Sequence, residues 1–555
     1  MIRDLIKTFH NFSPKERLVF FSALSVFIVA LFITIGGLIY NNTVIQPAEG
    51  GSYTEGIVGQ PTAINPVLAG ANDADQDLIR LLYTDLLTLT ANYATSSNGS
   101  VWTITLKDGL LWSDGEPITT ADVVFTVQTI QNPETKSPQQ NNWQGVEAIR
   151  LSNKEVQFNL KTPYAHFLEN LKNLRIIPSH IFSIIPPSNL RLSTYNLEPI
   201  ASGPYQFVSY QKEKTGFIAN YNLEINPHYT GPSALIERLI LKFFPTYNDA
   251  ILAFNQKSID GLGGIDALDL DKLKINHSTY AINIPRYYAV FFNPTVNPIL
   301  KETVLRQALT LATDKAKILK EVLSNKGTTI GGPIPPYLQG YNKEAYQDDH
   351  TSLKEAAALL EANGWIIDQN SENTFRTKTI QKEIVPLKFS LIVPDISFLV
   401  EAANIIQQDW QNIGIDLSLI VAPVDEIQAN YVRSRNYEML LFGNILRTNT
   451  DLYSFFHSSQ RFQPGLNLSL YNNSKVDTLL ENLRQEFDPE LQLTSITKIQ
   501  QIIHDDYPAA FLFSPDYLYA APQSLGGINQ TFITGSSDRF DNINEWFLKT
   551  TRVFK

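Results

Sequence analysis

The chain contains no cysteine among its 555 residues. This absence excludes disulfide bonds, thiolate catalysis, iron–sulfur clusters, sulfur-ligated zinc and a lipid-modified cysteine anchor. Charged residues are also few, at 18% against 43% hydrophobic residues. That balance is ordinary for folded domains and argues against long disordered stretches. The length exceeds what one hydrophobic core usually serves, so we expect two or three domains.

Basic stripes and catalytic motifs are missing as well. The formal net charge is −11, and an acidic body without a basic stripe argues against a nucleic-acid partner. The eight histidines show no HExxH or other metal-ligand spacing, and the sequence has no GxSxG elbow, Walker loop or dinucleotide glycine fingerprint. We therefore predict a protein that is not an enzyme, with no catalytic residue, metal ligand or cofactor. A triad assembled from distant residues stays an alternative.

One long apolar run lies near the start of the chain. Residues 18–40 are 23 residues without a charge, and as a helix they would span roughly 35 Å, enough for a hydrocarbon core of about 30 Å. A secretory signal is shorter, at about 7–15 apolar residues, and ends in a small-residue cleavage site. Residues 41–47 are a poor site of that kind. We expect an uncleaved transmembrane helix.

The basic residues predict the orientation of this helix. Four of them precede residue 18, and none follows residue 40 until Arg80. The positive-inside tendency then makes residues 1–17 a cytoplasmic tail and places the large domain outside a single-pass cell membrane. Residues 41–52 are expected to be a short tether. A soluble hairpin is the rejected alternative, because a helix that is apolar all round lacks a polar face.

The remaining chain alternates strand and helix patterns. Ser352 and Glu355 form a capping box for a helix that should end at residues 363–364. Apolar residues over 398–413 follow helical spacing, and residues 415–421 then alternate like a strand. A helix leading into a strand in this way is typical of an α/β domain.

One segment carries a family resemblance. Residues 102–125 read WTITLKDGLLWSDGEPITTADVVF, which resembles the hallmark segment of the oligopeptide, dipeptide and nickel solute-binding family (family 5) of ABC importers. Further motifs follow in the order of that family, and together they cover about residues 53–549. They lie at residues 201–205, 223–229, 250–260, 304–309, 332–336, 413–415, 456–458 and 471–477.

The resemblance implies an α/β fold of the two-lobed periplasmic-binding-protein type (class II, flytrap), with an extra inserted subdomain and one preceding transmembrane helix. Lobe one would hold residues 53–288 with the inserted subdomain at about 91–198, and lobe two residues 289–513. Residues 514–555 would return to lobe one. Residues 287–293 and 509–515 would be the strands that cross between the lobes.

The implied function is extracytoplasmic capture of short peptides or peptide-like solutes for the permease of an ABC transporter. A metal chelate or another non-peptide solute on the same fold is an alternative. A membrane-tethered enzyme or sensor is the alternative from a different class, and the short cytoplasmic tail has no obvious signalling module.

Members of the family bind peptide backbones partly through a first-strand segment, which here is residues 59–66. Its candidate contacts are Gln60, Pro61, Thr62 and Asn65, because a strand edge can pair with an extended peptide through main-chain groups. A plain strand-to-turn ending is the equal alternative.

Peptide-binding members also use a lobe-two aspartate to receive the ligand ammonium. Counted back from Asp451, that position falls near Thr448, where no acid stands. The neighbouring Arg447 could instead grip a carboxylate or phosphate, or be a solvated or lobe-bridging cation. Asn444, Thr448, Asp451 and His457 are further ligand-binding candidates by position. The aromatic candidates for pocket walls, each with a core role as its alternative, are Trp143, Tyr287, Tyr288 and Phe292.

Overall fold

A computed structural model describes residues 12–367, 375–446 and 450–555. The strands, in chain order, are β1 (Thr43–Ala48), β2 (Ser52–Val58), β3 (Thr90–Thr95), β4 (Val101–Leu106), β5 (Val146–Arg150), β6 (Glu155–Leu160), β7 (Tyr205–Lys212), β8 (Ile218–Ile225), β9 (Arg238–Phe244), β10 (Gly261–Gly263), β11 (Ser278–Ile282), β12 (Arg286–Phe292), β13 (Gly327–Thr329), β14 (Ile366–Ile367), β15 (Arg376–Ile380), β16 (Glu383–Pro386), β17 (Lys388–Pro394), β18 (Asp416–Ala422), β19 (Met439–Ile445), β20 (Ala509–Pro515), β21 (Tyr517–Ala521) and β22 (Lys549–Phe554).

The α-helices are α1 (Pro14–Asn42), α2 (Asp73–Leu82), α3 (Leu86–Leu89), α4 (Thr120–Gln131), α5 (Gln140–Trp143), α6 (Phe167–Asn173), α7 (Ser179–Phe182), α8 (Tyr247–Asn255), α9 (Thr303–Ala312), α10 (Lys315–Glu321), α11 (Leu353–Ala362), α12 (Ser397–Asn412), α13 (Val424–Glu426), α14 (Tyr453–Phe456), α15 (Ser474–Leu483) and α16 (Pro489–Asp506). The helices predicted after Ser352 and over 398–413 are α11 and α12. Ser352 caps α11 by accepting the Glu355 N–H at 3.2 Å.

Lobe one, as we use the term, is built on a seven-stranded sheet in the order β11-β21-β10-β2-β9-β8-β7. Strand β2 runs parallel to both β9 and β10, and the other pairs are antiparallel. The inserted subdomain is an antiparallel four-stranded sheet in the order β3-β4-β6-β5, with α4 packed on it. Its core and that of lobe one form one continuous cluster of buried apolar residues.

Lobe two is built on a six-stranded sheet in the order β13-β20-β12-β19-β17-β18. Alternate residues of β12 serve two separate cores, as the period of two in a strand requires. Tyr288, Val290 and Phe292 join the core that holds α9 and α12. Tyr287, Ala289 and Phe291 join the core that holds α15 and α16. The sheet therefore separates these two cores, and each of its faces carries a different contact with lobe one.

The chain crosses between the lobes just before β12 and just after β20. Both strands lie wholly in the lobe-two sheet and pair with each other antiparallel. Beside these crossings, Asn283 and Phe532, both in lobe one, form an isolated parallel bridge. The two crossings give the two-lobed α/β architecture that the sequence predicts.

The segment predicted as a tether has a defined structure. Helix α1 continues to Asn42, and β1 then pairs antiparallel with β22 from Thr43↔Phe554 to Ala48↔Lys549. The sequence predicts a short tether here but not this strand pairing, because the partner strand lies about five hundred residues away, where local pattern cannot reveal pairing. Within the described residues α1 is the one helix that is long and apolar enough to cross a membrane, and none of its residues is buried.

Candidate binding site between the lobes

A cavity of about 520 Å³ lies between the lobes beside the chain crossings. Lobe one contributes the start of α8 and the segment after β10. Lobe two contributes Lys326 and the start of α12, and the crossings contribute Arg286 and Asp516. A volume of this size lies within the range of about 300–1,000 Å³ that small-molecule sites occupy.

Local sequence signals place the walls of this cavity. Thr246 caps α8 by accepting the Asp249 N–H at 3.2 Å, which sets Tyr247 at the first helical position on the cavity wall. Asp266 accepts the Leu268 N–H at 3.2 Å and so begins a short turn of helix on the same wall. Ser397 begins α12 on the opposite wall. Helix starts from both lobes therefore face one space.

The cavity carries charges of both signs. Four acids and three bases line it: Asp266, Asp269, Asp395, Asp516, Lys272, Arg286 and Lys326. Burial raises the pKa of the Asp516 carboxyl, and the nearby Lys326 partly offsets this. Burial also raises the pKa of Asp266. The Nε of Arg286 is buried and has no hydrogen-bond partner among the described residues. Such a set of opposite charges suits a solute with both an ammonium and a carboxylate group.

An open strand edge leads to this cavity. Strand β17 pairs with β19 only through Leu391↔Met439 and Ile392↔Leu440. Beyond that point residues 441–445 have no strand partner on the β17 side within the described residues. Strand β17 ends at Pro394, and the next four residues line the cavity. Unpaired main-chain groups of this kind can pair with an extended peptide.

A second interlobe contact lies on the other face of the lobe-two sheet. We call it the latch: Tyr164 and Ala165 of the inserted subdomain with Asp451, Tyr453 and Arg484 of lobe two. The Ala165 N–H donates to the Arg484 carbonyl at 2.8 Å. The Arg484 guanidinium lies 3.9 Å from the Tyr453 ring centroid and 5.7 Å from that of Tyr164. The latch therefore holds the inserted subdomain against lobe two.

The first-strand segment predicted for peptide pairing is held within lobe one. Asp75 accepts the N–H groups of Thr62 and Ala63 at 2.7 and 3.0 Å and also the Thr62 hydroxyl. The Gln60 side chain accepts the Ile218 N–H at 2.9 Å. Pro61 is buried. Because these amides already donate within the lobe, the segment presents no continuous row of free donors.

Asn65 is equally occupied. Its side chain donates to the Asn196 side chain at 3.1 Å and accepts the Val67 N–H at 3.0 Å. It is 1% exposed. The structure thus places Asn65 in a buried turn of lobe one, as the plain strand-to-turn alternative describes.

The four aromatic side chains predicted to line the pocket lie in hydrophobic cores. Trp143 is 1% exposed and packs on Phe158 and Phe167 in the inserted subdomain. Tyr287 and Phe292 are both 0% exposed. Tyr288 lies one layer beneath the cavity, against the cavity-lining Phe398, with 5.3 Å between ring centroids. The near-complete burial of Trp143, Tyr287 and Phe292 matches the core role that is their alternative.

The lobe-two candidates fall on the latch side of the sheet. Asn444 donates to the Tyr287 hydroxyl at 2.9 Å. Asp451 pairs with Arg484. His457 stacks on Tyr453 at 4.1 Å and contacts Glu481 through Nε2 at 3.2 Å. Arg447 and Thr448 lie outside the described residues.

Sequence reasoning missed the charged residues that line the cavity. None of the predicted contacts within the described ranges lines it. Arg286 and Asp516 directly flank the two predicted crossing strands. Their position beside a lobe crossing is the sequence feature that could have identified them as cavity residues. Asp395 and Lys326 gave no such signal, because their proximity depends on how β13 and β17 pair in the sheet.

Comparison with known proteins identifies the class. Residues 87–463 match the sequence profile of the bacterial extracellular solute-binding proteins, family 5 Middle. The chain belongs to this family of extracellular solute-binding proteins, which confirms the predicted family and fold.

Individual relatives cover most of the chain. It is 25% identical over 562 residues to the oligopeptide-binding protein AppA of Bacillus subtilis, covering 96% of this chain and 99% of that one. It is 26% identical over 369 residues to the nickel-binding periplasmic protein of Escherichia coli, covering 63% and 64% respectively. The structure of Bacillus subtilis AppA in complex with a nonapeptide superposes with a TM-score of 0.71 at 25% identity, covering 91% of this chain and 100% of that chain.

Proposed function

We propose that this chain captures short peptides or peptide-like solutes in the cavity between its lobes and delivers them to the permease of an ABC importer. The observation that carries the proposal is the cavity itself, which both lobes line with charges of both signs beside an open strand edge. A zwitterionic peptide offers an ammonium, a carboxylate and a row of amides to match these features. The relative solved with a nonapeptide supports this solute class.

Within this proposal Arg286 and Lys326 receive the carboxylate end of the solute, and Asp395 and Asp516 receive its ammonium end. The buried Nε of Arg286 is removed from water and has no hydrogen-bond partner among the described residues. An unsatisfied buried donor of this kind costs about 1–3 kcal/mol, which a hydrogen bond to solute would recover. Binding would therefore be coupled to satisfying this group.

We further propose that α1 stays in the membrane as a single-pass anchor with the N-terminus in the cytoplasm. The length and composition of α1 and the four basic residues before residue 18 support this topology. The two lobes would then work at the outer membrane surface, as expected for an extracellular solute-binding family.

A metal chelate is the second candidate solute. The 26% identity to the nickel-binding relative favours it. The metal would enter already chelated, because within the described residues no group of three or more histidine, aspartate or glutamate side chains could hold a bare ion. Both candidates use the same cavity, so one experiment separates them.

The test is native mass spectrometry of the purified full chain, with any co-purified solute released and sequenced, followed by affinity measurements with the recovered solute. The peptide proposal expects recovered peptides and a tenfold or larger loss of affinity in Arg286→Ala and in Asp516→Asn. Lys320→Ala, an exposed change outside the cavity, is the matched control. Recovering only metal chelates or sugars would overturn the peptide assignment.

A further inference from the structure

The ribbon formed by β1 and β22 begins where the apolar helix ends. Asn42 is the last residue of α1 and Thr43 the first of β1. The Lys555 N–H donates to the Asn42 carbonyl at 2.9 Å, so the end of β22 lies against the end of α1. This places a strand from the far end of the sequence at the level of the last apolar helix residues.

Arg552 is fixed at this level by two contacts. Its guanidinium lies 4.4 Å from the ring centroid of Tyr40. Its Nη1 donates to the Thr43 hydroxyl at 3.1 Å, and that hydroxyl donates to the Ile39 carbonyl at 2.7 Å. The guanidinium has five donors, and those other than the Thr43 bond make no hydrogen bond to the described part of the chain.

Exposed apolar side chains surround this cation. Ile45 pairs directly with Arg552 across the ribbon, and Phe554 pairs with Thr43. Paired residues and residues two apart share one face of a ribbon, so Ile45, Arg552 and Phe554 lie on the same face. Ile45 is 61% exposed and Phe554 74% exposed. We call these three residues with Tyr40 the ribbon face.

The position of the ribbon face matches the outer boundary of a bilayer. Residues 18–40 form an apolar span of about 35 Å, so Tyr40 would reach the headgroup layer if Leu18 lies at the inner boundary. Tyrosine is enriched at that layer, and arginine places its charge there while its stem stays in apolar surroundings. Exposed isoleucine and phenylalanine beside the cation fit the same boundary between acyl chains and phosphates.

We infer that the ribbon face binds anionic phospholipid, with the Arg552 guanidinium on the lipid phosphate and with Ile45 and Phe554 against the upper acyl chains. The inference rests on the proposed membrane anchoring of α1. Its consequence is that the binding lobes are held at a fixed angle to the membrane, because the ribbon joins both the start of β2 and the end of the chain body to the helix.

The test uses the full chain in detergent micelles, titrated with phosphatidylglycerol and followed by native mass spectrometry. The wild type should retain phosphatidylglycerol in preference to phosphatidylcholine. Arg552→Gln, which can still donate to Thr43, should retain about fivefold less, since one basic residue near anionic lipid contributes on the order of that factor. Arg552→Lys should keep the preference.

Lys549→Gln is the matched control, because Lys549 lies on the opposite face of the ribbon and three residues farther from the helix. Equal lipid retention in Arg552→Gln and wild type, or an equal loss in Lys549→Gln, would overturn the inference. So would competition of the bound lipid by millimolar inorganic phosphate, which would assign the site to a free anion. Failure of the anchoring itself gives a different result, namely release of the full chain from cell membranes by alkaline carbonate.

Discussion

Arg484 donates to a single carboxylate oxygen of Asp451 from both Nε and Nη2, at 2.9 and 2.8 Å. The backbone carbonyl of the same arginine accepts the N–H of Ala165 from the inserted subdomain at 2.8 Å. Arg484 thus joins a side-chain pair within lobe two to a main-chain contact between the lobes. Because closed lobes retain solute, the strength of this latch bears on how long a solute stays bound.

Removing the Arg484 side chain should favour the open form. Arg484→Ala keeps the main-chain bond to Ala165 but removes the interlobe contact of the guanidinium with the Tyr164 ring. A cation–π contact of this kind contributes about 0.5–1 kcal/mol, so the shift in closure should weaken solute binding by about two- to fivefold. Small-angle scattering should show a larger radius of gyration, and calorimetry should show the weaker affinity. Lys475→Ala on the exposed start of α15 is the control and should leave both values unchanged. A variant with wild-type affinity would show that the latch does not contribute to closure.

Apart from the latch, Gly99 of the inserted subdomain contacts Phe487 of lobe two. A Cβ added at Gly99 would overlap the Phe487 ring, and Gly99 has a φ of +65°. Gly99→Ala should therefore displace the Phe487 ring from this contact and lower solute affinity by up to about 1 kcal/mol, in addition to the cost of a left-handed φ for alanine.

The double variant Gly99→Ala with Phe487→Ala tests this contact. Once the ring is gone, the alanine has space, so the double variant should bind solute as Phe487→Ala does. Additive losses in a double-mutant cycle would mean that Gly99→Ala acts through the hairpin backbone and not through the lobe contact.

Acidification should loosen the latch through His166. Burial lowers the pKa of His166 below its ordinary value of 6.5, and Arg484 lowers it further while Asp451 and Glu169 raise it. The ring packs edge-on against Tyr164, with 5.6 Å between ring centroids. If opening of the lobes exposes His166, its pKa is higher in the open form than in the closed form. Protonation then favours the open form, so closure is strongest above pH 6.5 and weakens as the pH falls.

The expected measurement is solute affinity between pH 7.5 and 5. Affinity should decline in the wild type below about pH 6.5, and His166→Asn should remove most of that decline. His350→Asn changes an exposed histidine in lobe two that pairs with Glu355, and it should keep the wild-type profile. Identical profiles for His166→Asn and wild type would assign the pH effect to another group.

The C-terminal return is held to lobe one by a buried charge cluster. Arg539 donates to Glu55 at 2.9 Å and to Asp77 at 2.6 Å. All three residues are nearly fully buried. Burial raises the pKa values of Glu55 and Asp77, and Arg539 counteracts this.

Arg539→Met should lower the free energy of unfolding by about 3–5 kcal/mol at neutral pH, because it leaves two carboxylates buried without a cation. Both carboxyls would then have pKa values raised further, so the variant should regain stability as the pH is lowered toward 5. Urea unfolding at both pH values measures this. Arg433→Met, an exposed change in lobe two, should change stability by less than about 0.5 kcal/mol. A loss independent of pH would point to packing and not to charge.

Much of the fold follows from local sequence. Ser352 begins α11 and the alternating pattern of residues 415–421 becomes β18, because caps and apolar periodicity act over a few residues. The motif at residues 102–125 places β4 and α4 in the order that the family resemblance implies. The site was predicted far less well. The candidates Asn65, Trp143 and Phe292 are buried. The sequence does not reveal this, because aromatic and amide side chains occur both in cores and at cavity walls.

The sequence alone determined the alternation of strands and helices, the apolar helix with basic residues before it, and the family to which the chain belongs. These depend on local composition and on motifs within short windows. Only the tertiary structure decided which charges meet between the lobes, that Arg484 links lobe two to the inserted subdomain, and that β22 pairs with β1 beside the helix. Each of these contacts joins residues far apart in the chain, and the free energy that selects such pairs comes from the packing of the whole domain.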